Sequence, residues 1–147
     1  MKALIINGSP RQKGNTSIAL TEIAKQLEKL GIESEIVWIG NKPVRGCIAC
    51  NTCKGKPAAA VAVCRRGGAT ATFETLNMPF QMMSMPVVTS QYWNIVYGRE
   101  PGQAALDREG LQTMRTLANN MAALLNATGG KPMPGSDEPW APMHFIR

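Results

Sequence analysis

Three stretches of the chain hold residues whose types and spacing can do chemistry. The first is Gly8-Ser9-Pro10-Arg11-Gln12-Lys13-Gly14-Asn15-Thr16-Ser17, a polar loop between an apolar run and a helical pattern. A helix entered this way presents unpaired N–H groups and its positive dipole end beyond the sheet, where open α/β folds bind ligands. Ser9, Asn15, Thr16 and Ser17 add hydroxyl and amide donors, and Arg11 and Lys13 add charge. The loop therefore reads as a phosphate site, with ordinary helix capping as the alternative; it is neither a Walker A loop nor a GxGxxG turn. The second stretch is Cys47-Ile48-Ala49-Cys50-Asn51-Thr52-Cys53. Three thiolates at this spacing can converge on one metal centre, most naturally an iron–sulfur cluster that wants a fourth cysteine. Zinc and reduced, unliganded thiols are the alternatives. The third is Cys64-Arg65-Arg66-Gly67-Gly68-Ala69, where glycine amides can approach a flat ring and an arginine can offset negative charge on it; the alternative is a basic surface turn. His144 stands alone in a proline-rich tail and reads as structural.

These segments need a scaffold. Lys2–Asn7 is a short continuous apolar run, as a strand covered on both faces requires. Ala19, Leu20, Ile23, Ala24, Leu27 and Leu30 make one stripe on a 3.6-residue period. Asn15, Thr16 or Ser17 can cap that helix and Gly31 can end it. Glu35–Ile39 is a second strand, so the first 39 residues form a βαβ unit. Ala58–Val63 is a third strand, Thr70–Met78 a short helix, Met85–Ser90 a fourth strand, and Tyr92–Gly102 a loop. Asp107 caps a final helix whose stripe is Leu111, Met114, Leu117, Ala118, Met121, Ala122 and Leu125. Residues 1–128 form one domain and residues 129–147 an extended arm, with Trp140, Phe145 and Ile146 as apolar anchors. Between the second and third strands the rhythm breaks, because Gly40–Pro57 holds no helical pattern for a parallel return.

Composition bounds the function. The chain has 147 residues, 44% hydrophobic and 18% charged, which fits one globular domain. It has no apolar run of the ~18–20 residues a membrane span needs and no signal-like start, so a cytoplasmic protein is expected. The net charge of +6 comes from one segment. Lys42, Arg45, Lys54, Lys56, Arg65 and Arg66 lie between Ile36 and Phe73 with no acidic residue among them. This suggests an anion site or a solvated basic surface. No aromatic residues interleave with these cations, which argues against a stacking nucleic-acid surface.

In this order, the opening NGSPRxxGNT (Asn7–Thr16), the CxxCxxC run, the RRGGA turn (Arg65–Ala69), PVVTSQYWN (Pro86–Asn94) and the final helix's TMRTLANNMA resemble the NAD(P)H-dependent FMN reductase superfamily, with multimeric flavodoxins and iron–sulfur flavoproteins nearest. The resemblance implies an α/β, flavodoxin-like three-layer sandwich with a parallel sheet, and FMN held non-covalently at the sheet's carboxyl end. It implies that Ser9, Arg11, Asn15, Thr16 and Ser17 hold the FMN phosphate, and that Arg66, Gly67 and Gly68 border the isoalloxazine ring. Hydride would pass from NAD(P)H to the flavin and on to a quinone, another flavin, another small oxidant or a redox protein. The assembly would be a homodimer or homotetramer. Cys47, Cys50 and Cys53 would be cluster ligands in an iron–sulfur electron carrier, the alternative within redox chemistry. A flavodoxin-like binding module without catalysis is the alternative outside it.

The chain departs from that family in one place. The resemblance implies a strand, helices and a flavin-wrapping loop between Cys53 and Lys54, where the periodicity also fails. Either this strand/helix segment is lost or further residues stand there. The second is the expectation, because losing a central strand exposes the edges of both neighbours.

Overall fold

The computed structural model describes residues 1–139 and 141. The elements run β1 (Lys2–Asn7), α1 (Asn15–Lys29), β2 (Glu33–Trp38), β3 (Ala62–Cys64), α2 (Ala69–Met82), β4 (Ile95–Tyr97), a 3₁₀ turn (Gln103–Leu106) and α3 (Arg108–Thr128). β1 pairs parallel with β2, Lys2 opposite Glu33 and Asn7 opposite Trp38. β3 pairs parallel with β4, Ala62 opposite Ile95. The fold is α/β and flavodoxin-like, but its parallel strands form two two-stranded sheets instead of one.

Those sheets are held by helices. Leu20, Ile23 and Leu27 of α1 pack with Met114, Leu117 and Ala118 of α3 in one core, which takes in Ile5 from β1 and Val96 from β4. Ala59, Val61 and Val63 lean on the same core. On the other face of β3 and β4, Ala62 and Ile95 meet Ala69 and Phe73 of α2. Three layers are thus present over β3–β4 and two over β1–β2.

The ends of the helices follow from sequence. Gly31, at φ 75°, closes α1: its N–H reaches the Glu28 carbonyl and that of Ile32 the Leu27 carbonyl, both at 3.0 Å, a Schellman arrangement. Asp107 caps α3 as expected, accepting from Gly110 N–H at 2.9 Å. It also accepts from Tyr97 N–H at 2.7 Å, which ties α3 to β4.

Three expectations are corrected. Gly14, not Asn15, Thr16 or Ser17, is the N-cap of α1, and no side chain caps it. Met85–Ser90 is not a strand: Val87 makes a single bridge to Ala58, since Pro86 has no N–H to donate. The strand lies instead at Ile95–Tyr97, inside the stretch taken as a loop. There the Asn94 side chain donates to the Ala60 carbonyl at 3.0 Å, filling a ladder position. Cys53 and Lys54 lie in a turn where Lys56 N–H meets the Cys53 carbonyl at 3.1 Å. Gly55 is seated there between α2 and the arm, donating to Met83 and accepting from Met133 N–H at 2.8 Å. Trp140, His144, Phe145 and Ile146 lie outside the described residues.

Asp107→Ala removes both bonds at once. It should lower stability by about 1–2 kcal/mol, the upper half of the range for a lost N-cap, with Asp107→Asn losing less. Urea unfolding of the three proteins checks this.

Candidate functional site

Loop 8–14 is shaped by the residue before it. Asn7, 1% exposed at the end of β1, accepts from Ser9 N–H at 3.0 Å and donates to the Gln12 carbonyl at 3.2 Å. From β2, the Trp38 indole donates to the Ser9 carbonyl at 2.8 Å. Ser9 Oγ accepts from Arg11 N–H at 3.2 Å. The result is a fixed loop leading into a helix with no side-chain cap and no acidic residue in its first turn. The N–H groups of Asn15, Thr16 and Ser17 therefore lack helical acceptors and point beyond the sheet. Sequence reasoning missed Asn7 and Trp38. An Asn at a strand end before Gly-Ser is a signal for such a side-chain turn; Trp38 gives none.

Asn15 has a second task. Its carboxamide donates to the Glu100 carbonyl at 3.0 Å and accepts from Ala104 N–H at 3.1 Å. Its side chain thus clamps loop 98–104, and only its backbone N–H is left for an anion. The same loop reaches β3, where Gly98 N–H donates to the Cys64 carbonyl at 2.9 Å. A Cβ on Gly98 would stand 2.7 Å from the Ala104 nitrogen and 3.0 Å from Asn15 Nδ2, so glycine is required for this approach. Loop 98–104 thereby joins the start of α1 to the end of β3 and brings the first and third sequence segments to one end of the molecule.

Arg65, Arg66, Gly67 and Gly68 are exposed there. Gly68, at φ 83°, is the N-cap of α2, again without a side-chain cap or an acidic first turn. Open space surrounds Gly67 and Gly68. Among the described residues, Arg11, Lys13, Arg65 and Arg66 take part in no ion pair. This end of the molecule is electropositive and its donors are unspent.

The cysteines are not assembled. Cys47, Cys50 and Cys53 are exposed and Cys64 is half-buried, all as free thiols. Among the described residues, no three His, Cys, Asp or Glu side chains gather as a metal-holding group. Ala49 and Asn51 have φ of 53° and 59°, which bends the loop at both residues flanking Cys50. Cys50 Sγ lies 3.1 Å from the Thr52 hydroxyl, whose hydrogen bond pulls its pKa below the ordinary thiol value. As placed here, the thiols do not fit a cluster.

The family model for NADPH-dependent FMN reductase matches residues 1–54, from β1 to the residue after Cys53. An iron–sulfur flavoprotein of Methanocaldococcus jannaschii is 26% identical over 188 aligned positions, which cover 85% of this chain and 97% of that one. Residues 1–54 thus resemble the NADPH-dependent FMN reductases. Two iron–sulfur flavoproteins of Archaeoglobus fulgidus match it locally, 46% and 42% identical, each over 26% of its own length. The FMN reductase pattern thus covers the loop 8–17 and the cysteine run and stops where the sheet divides. The 188 positions exceed this chain's 147 residues, so the Methanocaldococcus relative carries a stretch with no counterpart here.

Asn15→Ala should free loop 98–104. Two lost hydrogen bonds predict a stability loss of about 1–3 kcal/mol and faster amide exchange at Glu100–Ala104, read by mass spectrometry. Alkylation of Cys50 by iodoacetamide should rise with pH through a midpoint below the usual thiol range. The lowered pKa leaves more thiolate at a given pH, so Thr52→Val should move that midpoint up.

Proposed function

We propose that this chain binds FMN at the carboxyl end of its strands and acts as an oxidoreductase, taking reducing equivalents from NAD(P)H and passing them to a small oxidant such as a quinone or another flavin. The observation that carries this reading is the uncapped start of α1 behind a fixed loop, with Arg11 and Lys13 beside it and no acidic residue in the helix's first turn. That donor set suits a phosphate monoester.

The residues present fit the cofactor's phosphate. The N–H groups of Asn15, Thr16 and Ser17, the hydroxyls of Ser9, Thr16 and Ser17, and the Arg11 guanidinium would hold it, while Asn15's side chain keeps loop 98–104 in place. Arg66 and the Gly67–Gly68 turn would border the ring, with Arg66 offsetting negative charge and the glycines leaving room for a flat group. When bound, FMN supplies hydride acceptance and electron release; the chain supplies placement and electrostatics. No step is assigned to an iron–sulfur cluster, because the thiols are not gathered for one.

Titration with FMN, followed by flavin fluorescence, tests the reading. Arg11→Ala should weaken binding by about 1.5–3 kcal/mol, the range for a hydrogen bond to a charged group. Unchanged affinity would remove loop 8–17 from the site.

A further inference from the structure

Among the described residues, β1 and β3 each have one strand neighbour. In a parallel pair, a residue turns its N–H and its C=O to the same side. The Asn7 carbonyl accepts from Ile39 N–H at 3.2 Å, so the odd residues of β1 face β2, and Lys2, Leu4 and Ile6 turn their peptide groups to the open edge. Beside β4, Ala58 bonds Pro86 and Val88, Ala62 bonds Asn94, and Cys64 bonds Gly98. Ala59, Val61 and Val63 turn theirs the other way. Among the described residues, neither set has a backbone partner at that edge. Ala59, Val61 and Val63 are half-buried against the core that holds Ile5, where an unpaired peptide group is costly.

A bare face accompanies the bare edges. Lys2 pairs with both Glu33 and Glu35, which puts the three on one face of β1–β2. Leu4 (63% exposed), Ile6 (59%) and Val37 continue that face uncovered. α2 covers β3–β4 alone and leaves Leu76, Met78 and Met82 exposed. Flavodoxin-like sheets run in the order 2-1-3-4-5. Here the order is β2-β1 and then β3-β4, and what both edges and the face lack is one strand followed by one helix. The FMN reductase match ends at residue 54, between β1–β2 and β3 in the sequence.

We propose that this chain is completed by a partner polypeptide. An extended apolar segment docks parallel between β1 and β3, then continues into a helix over Leu4, Ile6 and Val37. Its carboxyl end is acidic: Lys42 and Arg45 follow β2 and Arg65 and Arg66 follow β3, with no acidic residue from 40 to 68. A second copy would bring the same cations to that end. The proposal stands on the strand edges and does not depend on flavin binding.

The test mixes the 147-residue chain with a synthetic peptide of the Methanocaldococcus stretch that has no counterpart here, read by light scattering and hydrogen exchange. The expected result is a 1:1 complex in which the amides of Leu4, Ile6, Val61 and Val63 become protected. Ile6→Lys, folded by circular dichroism because Ile6 is exposed, should weaken the complex roughly tenfold or more. No complex would overturn the proposal. So would protection of these amides in the free monomer, or a homodimer that already protects them.

Discussion

The seam between α1 and α3 carries this molecule. Among the described residues its two sheets share no ladder, so burial of Leu20, Ile23 and Leu27 against Met114, Leu117 and Ala118 is what keeps them in one body. Leu27 and Met114 are fully enclosed, and burying such side chains contributes about 1.5–3 kcal/mol each. Polar contacts rim the seam: Gln26 donates to Asn119 at 2.8 Å, and Arg115 pairs with Glu22. The rim pairs are partly solvated and fix the register of the helices more than they stabilise it.

Function depends on that seam through a short chain of contacts. It sets where α1 begins, and Asn15 at that point clamps loop 98–104. Loop 98–104 meets the end of β3 through Gly98, which brings the Arg65–Gly68 turn to the same end as loop 8–17. Two uncapped helix starts and several unpaired cations therefore converge without any acidic residue in either first turn. An anionic ligand is the natural complement of such an end. The flavin reading adds a reason for the glycines beside it.

Much of this was legible in the sequence where burial imposes a period. β1 lies where its apolar run puts it, although Leu4 and Ile6 are exposed on one face instead of covered on both; α1 and α3 match their stripes, and Asp107 its capping role. β4 was not legible, because three residues are too few to show a period and Asn94 completes the ladder with a side chain. Asn7 and Trp38 are polar positioning groups whose partners become neighbours only in space. The spacing of Cys47, Cys50 and Cys53 allowed convergence, but left-handed backbone at Ala49 and Asn51 directs the loop otherwise. The broken rhythm between Trp38 and Ala58 was visible as a missing helical pattern. Its consequence, a divided sheet with bare edges, follows only once β1 and β3 are seen to have one neighbour each.

The most direct test of the central claim, that loop 8–17 and the start of α1 hold a phosphate, compares FMN with riboflavin by calorimetry on the same preparation. Binding of FMN with riboflavin weaker by roughly tenfold or more, equivalent to about 1.4 kcal/mol or more from the phosphate, is the predicted result. Equal affinity for the two flavins, or none for FMN, would contradict it.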